Sequence, residues 1–137
     1  MARIRRLLGA VLTLGLVGTT ADLLLLAHYE DAAQLIPLGL AAVALVNVAW
    51  YVARPSQPSL RALQLVMASF LVAGAAGIWL HLSGAAAFQL EIDPSQPWWE
   101  VVKKAARAKA PPALAPGTMI MLGLVGLTYI ALSRTKS

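Results

Sequence analysis

The sequence has no cysteine. Disulfides, thiolate metal sites and cysteine nucleophiles are therefore excluded. Only two histidines and six carboxylates are present. Charged residues make up 12% of the 137 positions, against about a quarter in an ordinary soluble domain. No glycine-rich phosphate loop precedes a helix pattern, and no serine sits in a nucleophile elbow. The apolar segments hold too few charges for a multi-carboxylate proton relay. No inverted repeat of broken helices marks a classical transporter. These absences leave no reaction to assign, and the chain is read as a non-enzyme.

What is present is apolar surface in long blocks. Hydrophobic residues fill 59% of the chain, and alanine and leucine alone occupy 51 positions. Mean hydropathy is +0.72. Four blocks stand out: Leu7–Ala27, Ile36–Ala53, Ala62–Leu82 and Thr118–Ser133, the last extended upstream toward residue 116 or beyond. A helix crosses the hydrocarbon with roughly 20 residues. In lipid the backbone must satisfy its own hydrogen bonds, so each block is expected to be a helix. The expected fold is all-α: one transmembrane domain over residues 1–137, a four-helix bundle with spans near 7–27, 36–53, 62–82 and 116–133. The first block has a competing reading as a signal peptide, with Arg3, Arg5 and Arg6 as its basic region and Thr19-Thr20-Ala21 as a cleavage site. The apolar run Leu23–Ala27 continues past that site and favours a span.

Net charge is +5 and the pI about 10.1. The cations sit in short clusters between apolar blocks, not on one basic face. They point to lipid headgroups and topology, not to nucleic acid. With the N-terminus inside, seven cations are cytoplasmic and four (Lys103, Lys104, Arg107, Lys109) are outside. Glu30, Asp31, Glu91, Asp93 and Glu100 also fall outside. Both termini are expected inside.

The connection over residues 83–117 is long, which is uncommon without a purpose or structure of its own. Phe88–Asp93 alternates apolar and polar residues, the period of an extended segment. Ser95 is placed to cap a helix over about 96–109 with Pro97 in its first turn. Trp98, Val101, Val102 and Ala105 form its apolar stripe, with Lys103, Lys104 and Arg107 off it. This pattern predicts an amphipathic helix on the outer membrane surface, anchored by Trp98 and Trp99.

Asp22 is the most informative single residue. A carboxylate at the centre of a membrane helix costs about 2.5–3.5 kcal/mol on insertion scales. On a helical wheel it shares a face with Gly15, Gly18 and Thr19, and it stands roughly 9 Å from the outer end of the first block. Two readings are open. The acid is satisfied locally, through Thr19 or a carbonyl, or it receives a counter-charge from a partner subunit, a cofactor or a transported cation. His28 and His81 end the first and third blocks at similar depth. They are candidates for axial haem or pigment ligation, or for a divalent metal site with Glu30, Asp31, Glu91 or Asp93. Histidine at a helix end also simply suits the dipole. Asn47 is expected to bond across to a neighbouring helix, at Gln64. Gly74, Gly77, Gly123 and Gly126 have the spacing of close helix crossings.

Asp22–Leu40 (DLLLLAHYEDAAQLIPLGL) and Ala110–Tyr129 (APPALAPGTMIMLGLVGLTY) resemble a group of small, uncharacterised bacterial membrane proteins with four spans. The resemblance implies a bacterial origin and four crossings, hence an inner-membrane location, and implies no catalytic residues. The first functional expectation is an accessory or scaffold subunit without a cofactor, partnered by the bilayer and by other membrane subunits or copies of itself. The second is a metal, haem or pigment binder using His28 and His81. The third is a small transporter or channel subunit around Asp22.

Overall fold

The computed structural model describes residues 2–27, 32–107 and 114–134. Five helices follow in order: α1 (Ala2–Leu25), α2 (Ala32–Ala53), α3 (Gln57–Ile92), α4 (Trp98–Ala106) and α5 (Leu114–Arg134). No strand occurs among the described residues. The fold is all-α. α1, α2, α3 and α5 are each long and apolar enough to cross a membrane, and the chain is a multi-pass membrane protein. Leucines 24, 25 and 26, with many other large apolar side chains, are exposed on the outside of the bundle. In lipid this surface is solvated by acyl chains.

α1 ends before the apolar block does. Ala27 has φ 51°, the left-handed conformation that closes a helix and that alanine adopts only under strain. The amide N–H of Leu26 donates to the Asp22 carbonyl at 2.9 Å, and that of Ala27 to the Leu24 carbonyl at 3.1 Å. α2 begins four residues before the apolar block and carries Pro37 within it. The turn into α3 follows the expected proline punctuation. Ser56 and Ser59 form a reciprocal capping box, Pro58 lies in the first turn, and Ser59 is fully buried.

α3 corrects the largest sequence expectation. It runs on for 36 residues to Ile92, so the first ten positions of the expected 83–117 loop are helix. Phe88–Asp93 is not an extended segment. Alternation over six residues is weaker than propagation from the helix-forming run of Ala85, Ala86 and Ala87 upstream. At 1.5 Å per residue α3 is about 54 Å long, against a hydrocarbon core of about 30 Å.

The α3–α5 seam is the closest contact in the bundle. A Cβ on Gly123 would stand 2.9 Å from the Met67 carbonyl oxygen, and one on Gly74 would stand 2.7 Å from that of Pro116. Met67 packs over Gly126, and Pro116 over Gly77. The expected small-residue crossings are therefore formed, all four between α3 and α5. Leu12, Leu16, Ala44, Leu63, Met67, Phe70 and Leu122 make the core beside this seam.

Candidate functional site

The Asp22 face of α1 does not act as one unit. Gly15 faces the Leu122 side chain, Gly18 has open space around it, and Thr19 lines an internal cavity. Asp22 itself is exposed. Because α1 closes at Leu25, Asp22 stands in the last turn, about 4.5 Å from the helix end and not 9 Å. The proposed local bond to Thr19 is not formed; no described residue donates to the Asp22 carboxylate or forms an ion pair with it. A carboxylate in the last turn also lies at the negative end of the helix dipole, which disfavours it.

Asn47 is likewise satisfied within its own helix. Its Nδ2 donates to the Val43 carbonyl at 2.8 Å. The expected partner, Gln64, instead accepts a hydrogen bond from Arg134 at the far end of α5. Arginine reaches farther than asparagine, and α5 packs directly on α3, so the inter-helix polar contact joins those two helices.

The Trp98 segment is a nine-residue helix, not fourteen: Pro97 caps its start two residues later than expected, and it closes at Arg107. Ser95 is occupied elsewhere. Its amide and hydroxyl donate to Asp93 Oδ1 at 3.0 and 2.6 Å. These bonds hold the Asp93 carboxyl below its ordinary value of 3.8. The apolar stripe divides. Val101 and Ala105 are buried, while Trp98 and Trp99 are 74% and 57% exposed and meet edge to face with ring centroids 6.4 Å apart. α4 folds back on α3, tied by the bond from Gln96 Nε2 to the Gln89 carbonyl. Lys103 and Lys104 are exposed, the former paired with Glu100 at 3.4 Å. Arg107 is exposed just past the helix.

His28, Glu30 and Asp31, and with them the His28–His81 pair, lie outside the described residues. His81 is exposed and contributes to the rim of a cavity between α1, α2, α3 and α5. Among the described residues no three metal-binding side chains form a group. The cavity measures about 770 Å³, within the range of small-molecule sites. Its walls are aliphatic apart from Thr19, Gln34, Ser69 and His81.

A second cavity, about 800 Å³, opens between α1 and α2 at the opposite end. Arg5, Arg6, Tyr51 and Tyr129 line it. Sequence reasoning did not find it. The arginines were read for topology, headgroup attraction and a competing signal-peptide pattern, not as part of a cavity, and no periodicity links Tyr51 to Tyr129, which meet edge to face at 5.9 Å. The chain matches no protein-family model, no curated protein and no solved structure.

Proposed function

We propose that the protein is a non-catalytic subunit of a bacterial inner-membrane assembly, docked through the outer face of α1. The observation that carries this reading is Asp22: an exposed carboxylate at the negative end of a membrane helix, with no ion-pair partner among the described residues and one turn from open Gly18. A partner cation relieves both the dipole and the solvation cost. Gly18 lets a partner helix approach closely. The N-terminus and the Arg54–Ser56 turn face the cytoplasm in this reading, and α4 faces outward.

Since the chain has no cysteine, a single cysteine at Gly18→Cys gives a unique crosslinking site in native membranes. The expected result is one discrete adduct of higher mass, abolished by Asp22→Asn while the bundle stays folded. Adduct formation indifferent to Asp22→Asn removes the docking role. Alkaline phosphatase fusions after residues 57 and 95 test orientation, with activity expected only after residue 95.

A second reading rests on the 770 Å³ cavity and His81 at its rim. It is a lipophilic ligand site, with a haem or pigment macrocycle held by the imidazole as the special case. An absorption band lost on His81→Ala supports it. A featureless spectrum of protein purified from its source membrane removes the macrocycle.

A further inference from the structure

The cavity between α1 and α2 at the arginine-bearing end has a polarity that changes along its length. Arg5 and Arg6 stand at one end, Tyr51 and Tyr129 at its waist, and Leu14, Val17 and Val48 beyond them. From Arg6 to Val17 the wall of α1 rises about 16 Å. A close contact bounds the cavity on the side of α5. The Tyr129 ring lies against α1 at Gly9, where a Cβ would stand 3.2 Å from Tyr129 Cε2.

Neither arginine is compensated by a described residue. Arg5 is half-buried, yet no described residue forms an ion pair with Arg5 or Arg6. Among the described residues no carboxylate lines the cavity. Adjacent cations over an aliphatic slot complement an anionic amphiphile, and a phosphate ester carrying acyl chains is the one that a bilayer surrounding the cavity supplies. We infer that this cavity binds an anionic phospholipid, with the phosphate on Arg5 and Arg6 and one acyl chain between α1 and α2. The tyrosine hydroxyls lie at the level of the glycerol ester. This site is independent of any docking at Asp22, which stands at the other end of α1.

The test is native mass spectrometry after reconstitution into phosphatidylcholine vesicles containing a minor fraction of phosphatidylglycerol. Wild-type protein is expected to retain phosphatidylglycerol in preference to phosphatidylcholine. The double variant Arg5→Gln, Arg6→Gln is expected to lose that preference by about tenfold or more. The control Arg3→Gln, Arg61→Gln removes the same charge from exposed positions outside the cavity, and is expected to keep it. Equal loss in both doubles means diffuse attraction to the surface and overturns the site.

Val17→Trp fills the aliphatic part and leaves the arginines in place. It is expected to abolish lipid retention with helicity unchanged by circular dichroism. If it fails to fold, Leu14→Trp, an exposed position on the same aliphatic wall of α1, makes the same test. Inorganic phosphate separates the two sources of the headgroup. The inference expects it neither to raise the melting temperature nor to displace the lipid. Stabilisation by phosphate alone, undiminished when the aliphatic part is filled, would identify a free-anion site and overturn the lipid assignment.

Discussion

The two halves of the bundle differ in whether glycine brings one backbone against another. Between α3 and α5, Gly74 and Gly123 bring backbones so near that a Cβ would stand within 3 Å of a carbonyl oxygen. On α1 and α2 no glycine meets backbone: Gly9 and Gly15 meet only the side chains of Tyr129 and Leu122, and Gly18 and Gly39 have nothing within 4 Å of an added Cβ. Both cavities have walls on α1 and α2, whereas the α3–α5 contact is continuous from Met67 to Gly77 on α3. The contrast separates a close-packed spine from a looser pair leaning on it. In lipid, helix association rests on van der Waals fit and not on expulsion of water. The spine is therefore where the fold is decided. The looser pair leaves room for other molecules.

Breaking the spine has the largest expected effect. Gly123→Leu drives a side chain into the Met67 backbone, and the folded bundle is expected to be lost in detergent. Gly123→Ala is expected to cost about 1–3 kcal/mol by thermal unfolding. Gly126→Ala should cost less, because it meets the flexible Met67 side chain and not backbone. Equal losses at the two positions would show that Met67 cannot yield.

Ala105→Leu comes next. Ala105 is fully buried where α4 folds onto α3, and overpacking there costs about 1–3 kcal/mol locally. Hydrogen exchange is expected to accelerate across α4 while the spine keeps its protection. Loss of protection throughout would mean that α4 belongs to the spine. On the looser side, Gly39→Ala is expected to be neutral or to add up to about 1 kcal/mol from helix propensity. Clear destabilisation there would show that α2 is as closely packed as α5.

The smallest effect is the pH dependence of the turn between α3 and α4. The Ser95 bonds lower the folded-state pKa of Asp93. Their contribution is therefore complete above the ordinary value of 3.8 and is lost as pH falls through the lower folded-state value. Amide exchange at Ser95, corrected for intrinsic rates, should speed up only in that acidic window. Asp93→Asn should remove the pH dependence.

The spans were legible because a bilayer imposes length and continuity on them, and the glycines of the spine were legible from their spacing. The ends were not. α1 stops on the positive φ of Ala27, at a position where the apolar pattern continues. α3 absorbs Ser83–Ile92 because propagation of an existing helix outweighs six residues of alternation. The stripe of α4 was legible as meeting the membrane or the helix bundle, but not which of its residues would be buried: Val101 and Ala105 are, Trp98 and Val102 are not, since periodicity cannot name the surface it meets. The Tyr51–Tyr129 contact and the arginine-lined cavity depend on which helices become neighbours, which no local pattern encodes. At Asp22 the residue was recognisable and its depth was not, again because of Ala27.

The length of α3 has one more consequence. To hide a helix of about 54 Å in hydrocarbon of about 30 Å would take a tilt of roughly 56°, beyond the 0–40° range of membrane helices. Bilayers of different thickness therefore cannot swallow this helix; they can only slide along it. The polar bracket at its far end, Gln89, Asp93, Ser95 and Gln96 bonded to one another, acts as a stop to that sliding. α3 works as a draught mark, and the height at which the molecule floats is set by where that mark meets the headgroups.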